Sequence, residues 1–207
     1  MITQNKGAIL ILSGPSGCGK STLLKEVYKD ISDYYFSIST TTRAAREGEK
    51  HGVDYYFVSK EEFEKDIEAG NFLEYANVHG NYYGTSLKPI MKALHENKLV
   101  IFDIDVQGHK IVRKKLNDII TSVFITTPSL KELEFRLNNR STDSKEVIQK
   151  RIINAQEEIK SFLKYDYLII NDNLQEASKQ LVSIANAARV KSKLSALTII
   201  EDWLEEA

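Results

Sequence analysis

The residues best suited to chemistry in this chain form one run, Gly14-Pro15-Ser16-Gly17-Cys18-Gly19-Lys20-Ser21. It fills every fixed position of the phosphate-gripping pattern G-x-x-x-x-G-K-[ST]. In such a loop the glycines let successive backbone N–H groups, and the positive end of the helix that follows, converge on a phosphate. Lys20 is placed to reach the β- and γ-phosphates of a nucleoside triphosphate, and the Ser21 hydroxyl to ligate magnesium. The flanks agree: Ala8-Ile9-Leu10-Ile11-Leu12 reads as a buried strand, and Thr22-Leu23-Leu24-Lys25-Glu26-Val27 as a helix.

Other candidate groups lie further along. Asp103 ends the apolar run Leu99-Val100-Ile101-Phe102, as does the acidic residue that holds magnesium through water in phosphate-loop enzymes. Arg136, Arg140 and Arg151 occur in a polar helix-turn-helix stretch and are read as a lid, because phosphoryl transfer needs mobile cations that close over the polyphosphate. His51, His79, His95 and His109 lack metal-ligand spacing and are expected at the surface or in turns. Cys18 sits where a helix N-terminus can acidify a thiol.

The elements that must position these groups follow from periodicity. Tyr34 to Ser39, Leu99 to Asp105, Ile120 to Thr126 and Tyr167 to Asn171 read as further buried strands. Separated by helical patterns, they predict an α/β fold whose central parallel sheet is covered by helices on both faces. Capping pairs Ser129/Glu132 and Asn173/Glu176 open two core-facing helices. The long excursion after Thr40 has its own grammar: a short strand at Tyr55 to Val58, a capping box Ser59/Glu62 before a helix ending at Gly70, strands paired around Gly80-Asn81, and a helix from Ser86 to Glu96. It reads as a small mixed lobe suited to a second substrate.

The chain has 207 residues, enough for a single domain with a sizeable core. Its 28 Lys plus Arg against 29 Asp plus Glu give no electrostatic footprint for a nucleic acid polymer. A single cysteine fits a reducing cytoplasm, and no apolar run approaches a membrane span.

Five motifs in order make the chain resemble the guanylate kinases from Gly7 to about Arg189. They are Gly14-Pro15-Ser16-Gly17 with Gly19-Lys20-Ser21-Thr22; Ser39-Thr40-Thr41-Thr42-Arg43 with Arg46; Gly52-Val53-Asp54-Tyr55-Tyr56-Phe57; Gly80-Asn81-Tyr82-Tyr83-Gly84-Thr85; and Asp103-Ile104-Asp105-Val106-Gln107-Gly108. The resemblance implies a P-loop nucleoside monophosphate kinase fold and transfer of phosphate from ATP to GMP, with dGMP as a further acceptor, and with Mg2+. It implies ATP on Gly14 through Thr22, including Pro15, Ser16, Gly17, Cys18, Gly19, Lys20 and Ser21. It implies the GMP phosphate on Arg43, Arg46, Tyr55 and Tyr83, and the base on Glu74 with Ser39, Thr85 and Asp105. Guanine offers adjacent N1–H and N2 amino donors that one carboxylate can accept together, whereas adenine offers an acceptor at N1.

Within a single domain, segments 1-39, 97-130 and 160-190 are then the core, 40-96 the GMP-binding lobe, 136-157 the lid and 191-207 an additional helical tail. The family commonly has Arg-Gly-Thr after the first lid helix, where this chain has Arg140-Ser141-Thr142. ATP and GMP are the expected partners of a cytoplasmic monomer or homodimer, without nucleic acid polymer or membrane. Two competing readings are a silent guanylate-kinase-like scaffold, which would be expected to lack a working loop and lid arginines, and a kinase for another monophosphate.

Overall fold

The computed structural model describes residues 7–78, 80–116, 119–139 and 144–194. Its centre is β1 (Ala8–Ser13), buried at every position. Parallel partners flank it: β7 (Leu99–Asp103) on one side and β8 (Ile120–Thr126) on the other. Outside them lie β2 (Tyr34–Phe36) and β9 (Tyr167–Ile170), giving the order β2-β7-β1-β8-β9.

Strand periodicity sorts the core into two halves, because alternate side chains leave opposite faces. Leu10, Leu12, Ile101, Val123 and Ile125 pack against α1 (Lys20–Val27) and α7 (Leu174–Arg189). Ile9, Ile11, Val100 and Phe102 pack the other way, against α3 (Leu87–His95) and α4 (Val106–Leu116). Continuous apolar runs are what a sheet covered on both faces requires.

The stretch read as one strand from Tyr34 to Ser39 divides. β2 ends at Phe36, and the chain leaves the central sheet to form β3 (Thr40–Thr41) in a second one. That sheet has the order β4-β3-β6-β5, with β4 (Tyr56–Phe57), β5 (Phe72–Val78) and β6 (Asn81–Ser86). Its helix α2 (Lys60–Glu68) begins with the expected capping box: Glu62 N–H donates to Ser59 Oγ, and Ser59 N–H to the Glu62 carboxylate. Phe63, fully buried, stacks on Phe72 and Tyr82 at centroid distances of 4.4 and 5.2 Å, which gives this lobe a core of its own.

Two helices, α5 (Leu130–Asn139) and α6 (Lys145–Glu158), form the predicted helical pair and run into a 3-10 turn at Ile159–Lys164. Arg140 between them lies outside the described residues, as do His79 and the tail beyond Leu194. The start of the tail is held by Lys191, whose Nζ donates to the Ile120 carbonyl. No helix among the described residues is long and apolar enough to cross a membrane.

Candidate functional site

The glycine-rich loop leaves β1 at the centre of the sheet, beside the carboxyl ends of β7 and β8. Crevices at such strand ends are where open α/β sheets bind ligands. The loop backbone tolerates no side chain at Gly14, where φ is 148° and an added Cβ would lie 1.9 Å from the Ile125 carbonyl oxygen. Helix α1 starts after Gly19, so the unpaired N–H groups of its first turn face the loop. Lys20 Nζ donates to the Gly14 and Pro15 carbonyls at 2.7 and 3.3 Å, folding its ammonium back across the loop mouth. Ser21 and Thr22 are exposed on the first turn.

Register puts Asp103 opposite Leu12, next to the loop's first residues. Burial pushes its carboxyl up and Lys20 opposes the shift. Burial works against the Lys20 ammonium, yet its pKa is raised because Cys18, Asp103 and Glu158 act on it together. An exposed hydroxyl and a single strand-end carboxylate suit a small hard cation that takes most of its oxygen ligands from phosphates and water. Ser21 and Asp103 therefore fit magnesium. Asp103 is a poorly solvated anion, which a cation would stabilise.

Arg136 and Arg151 are tied to the loop. Arg136 Nε donates to Glu132 Oε1 at 2.7 Å and its Nη1 to the Asn171 carbonyl at 2.9 Å. Asn171 Nδ2 donates to the Cys18 carbonyl at 2.9 Å. Arg151 Nη1 donates to Ser16 Oγ at 3.1 Å, a direct contact between α6 and the loop.

The second sheet gathers the remaining candidates. Arg43 Nη2 lies 2.9 Å from both oxygens of Glu49, its Nη1 donates to the Ala44 carbonyl at 2.7 Å, and the Tyr83 hydroxyl is a further partner. Its guanidinium lies over Tyr55, 5.4 Å from the ring centroid, and Tyr55 meets Tyr83 edge-on at 6.0 Å. Arg46 is exposed, while its backbone N–H donates to Glu49 at 2.8 Å. The Arg43 guanidinium and two phenols thus converge, and donors of these kinds suit a phosphate monoester.

Glu74 faces Thr85 across the β5–β6 pair and accepts its Oγ1–H at 2.5 Å. Burial, with Asp105 adding to it, raises the Glu74 carboxyl to about 7. Asp105, just past the end of β7, accepts the Gly108 N–H at 2.8 Å. A Cβ on Gly108 would sit 3.0 Å from Glu74 Oε2 and 3.4 Å from Asp105 Oδ1, so both carboxylates flank that glycine. Ser39 lies between the two sheets, where its carbonyl accepts the Tyr56 N–H at 2.9 Å.

Two expectations need correction. Cys18 is fully buried, and burial pushes its thiol up although Lys20 opposes, so the helix N-terminus does not acidify it. His109 is not a surface residue: only 3% exposed, it lies inside α4 with its ring on Tyr165. Sequence reasoning also missed Asn171, Glu158 and Glu49. The signals were a polar residue just past the last strand, an acidic residue closing α6, and an acidic residue spaced i, i+3, i+6 with two arginines.

Known proteins similar to this chain show its family. The sequence profile of the family described as guanylate kinase matches residues 6–188. A guanylate kinase of Sulfurimonas denitrificans is 64% identical over 190 residues, 92% of each chain. One of Helicobacter hepaticus is 50% identical over 200 residues, covering 97% of this chain and all of the relative. Among solved structures, the guanylate kinase from Anaplasma phagocytophilum is similar with a TM-score of 0.74 at 32% identity, over 93% of this chain and 92% of that one.

Proposed function

This chain belongs to the guanylate kinase family and phosphorylates GMP at the expense of ATP, and we propose from that premise how its own residues divide the work. The loop from Gly14 to Thr22 holds the ATP phosphates, with Lys20 turning from the Gly14 carbonyl to the β- and γ-oxygens. The single observation that carries the acceptor assignment is the buried Glu74 carboxylate, held by Thr85 beside Asp105. It matches the paired donors of guanine and rejects adenine, which presents an acceptor there.

Arg43, Arg46, Tyr55 and Tyr83 take the GMP phosphate, and Ser39, Thr85 and Asp105 complete the base pocket. The attacking GMP oxygen is already ionised, so no general base is required. Rate comes from alignment and from charge placed around the transferring group. Arg136, Arg140 and Arg151 supply that charge from the lid, and the Arg151 contact with Ser16 supports their approach to the loop. Ser21, and Asp103 through water, would hold magnesium, which when bound would supply charge neutralisation between the phosphates. Closing lobe and lid excludes water and suppresses ATP hydrolysis.

We assign segments 1-39, 97-130 and 160-190 to the core, 40-96 to the GMP-binding lobe, 136-157 to the lid and 191-207 to a tail, all one domain. Near-balanced charge supports free nucleotides, rather than a nucleic acid polymer, as partners of a cytoplasmic monomer or homodimer. Neither the scaffold reading nor a different monophosphate is favoured. Lys20→Ala is expected to fold normally by circular dichroism and to lose GDP formation. Near-full turnover by that variant would contradict the donor assignment.

A further inference from the structure

Helix α4 packs on the central sheet, yet along one face it also grips the start of β5 in the smaller one. Gly108, Val112 and Lys115 are spaced i, i+4, i+7 and so lie on one side of the helix. Gly108 lies against the Glu74 carboxylate, where an added Cβ would stand 3.0 Å from Oε2. Val112 shares an apolar cluster with Leu73, the residue before Glu74. Lys115 Nζ donates to the Leu73 carbonyl.

Leu73 is also where the β5–β6 ladder is irregular. The register steps from Phe72 opposite Ser86 to Glu74 opposite Thr85, so two positions of β5 are set against one of β6. That is the count of a β-bulge, which bends a strand and re-aims its side chains. Residues two apart in a regular strand share a face. Here Phe72 stacks on Phe63 of α2, whereas Glu74 lies against α4.

We propose that Lys115 is a positioning residue for GMP: by holding the Leu73 carbonyl it fixes the bulge that aims Glu74 at the base, and its ammonium favours the ionised carboxylate that guanine requires. The inference deepens, and rests on, the reading of Glu74 as the base-reading group. Lys115 itself need touch no nucleotide. The charges around Glu74 have the right sign, and they come from the two ends of α4. Asp105 adds to burial in raising the Glu74 carboxyl, and Lys115 opposes them. Without that cation, a buried carboxyl beside a second carboxylate keeps its proton further into the neutral range. A protonated Glu74 sets an O–H against one of guanine's two donors.

The test is steady-state kinetics on the full chain from about pH 6 to about pH 9, with GMP and ATP varied in turn. Lys115→Met keeps an unbranched apolar stem and removes the charged donor. It is expected to raise the KM for GMP by about tenfold with the KM for ATP unchanged, the scale of a lost charge-assisted hydrogen bond. The acidic limb of kcat/KM for GMP moves to higher pH by about half a unit or more, as loss of a neighbouring opposite charge requires. Lys115→Arg, which keeps a cation and a donor, restores both. The GMP phosphate titrates alike with every variant, so a difference between limbs belongs to the protein. KM and the position of the limb are also independent of the fraction of enzyme that is folded. In a Glu74→Gln background, which has no carboxyl to titrate there, Lys115→Met moves no limb. If Glu74→Gln leaves the KM for GMP unchanged, the base reading itself fails. If Glu74→Gln raises that KM while Lys115→Met moves neither it nor the limb, only the Lys115 assignment fails. Equal rises in KM for both substrates, or a limb shift that persists with Glu74→Gln, overturn it as well.

Discussion

At the scale of single residues the site is organised by carboxylates as much as by cations. Glu49 braces Arg43 with both oxygens and takes the Arg46 N–H, and the ion pair is largely buried, with side-chain exposures of 14% for Arg43 and 19% for Glu49. Such a pair is not a surface bridge worth a few tenths of a kcal/mol. Charge-assisted hydrogen bonds of this kind contribute about 1.5–3 kcal/mol. Glu49→Gln should therefore lower kcat/KM for GMP by about tenfold or more and leave the KM for ATP unchanged, with Glu49→Asp recovering part of the loss. An equal effect on both substrates would contradict a role confined to the acceptor lobe.

Glu74 gives a pH signature. Its carboxyl keeps a proton to about pH 7 in the fold, against an ordinary value of 4.5. Between those values the folded state binds more protons than the unfolded one. The stability of the wild type relative to Glu74→Gln is thus fully present below about pH 4.5 and falls as pH rises through 7, by on the order of 3 kcal/mol in total. Urea denaturation of both proteins across that range measures it, and a gap that stays flat or widens with pH would rule the assignment out. Guanine's donors select the ionised carboxylate, so GMP binding below pH 7 also draws off this proton.

At the scale of elements, what was legible depended on locality. The glycine-rich run, the Ser59/Glu62 capping box and the apolar strands write their structure into adjacent residues, and the chain follows them. The exchange of sheets after Phe36 was hidden, because Tyr34 to Ser39 carries one continuous strand-like pattern and it is the pairing of Thr40 and Thr41 with Tyr56 and Phe57 on one side and with Gly84 and Tyr83 on the other that diverts it. The signals at Asn171 and Glu158 were too weak to assign a role, since their partners lie far away in sequence: 153 residues separate Asn171 from Cys18. The burial of His109 arises from packing against the turn after α6, which helical periodicity alone does not reveal.

Helix α4 offers a test at this scale. Gly108 lets its first turn approach Glu74 and Asp105 more closely than a Cβ permits comfortably. Gly108→Ala improves helix propensity by about 1 kcal/mol while crowding both carboxylates. The expected result is an unchanged or raised Tm with a several-fold higher KM for GMP and an unaltered KM for ATP. A fall in Tm with normal GMP kinetics would show that the glycine serves packing rather than the base pocket.

At the scale of the whole molecule, two sheets hold the two halves of one reaction. The parallel sheet carries the glycine-rich loop and Asp103, and the smaller sheet carries Arg43, Tyr55, Tyr83 and Glu74, the groups proposed for donor and acceptor. The helical pair α5–α6 reaches back to the loop through Arg136 and Arg151. Tyr55 on the smaller sheet lies within electrostatic reach of Asp103 on the larger one. That proximity fits the proposed donor and acceptor sites, since in-line transfer requires two nucleotides to meet.

The most direct measurement is magnesium-dependent ADP formation from ATP with GMP, dGMP, AMP, CMP and UMP offered in turn. Strong preference for GMP, with dGMP accepted, is the expected result, because the proposed Glu74 pocket would read the base and not the sugar. Comparable turnover with AMP or a pyrimidine monophosphate would contradict the Glu74 pocket, and silence with all five despite ATP binding would contradict the catalytic account as a whole.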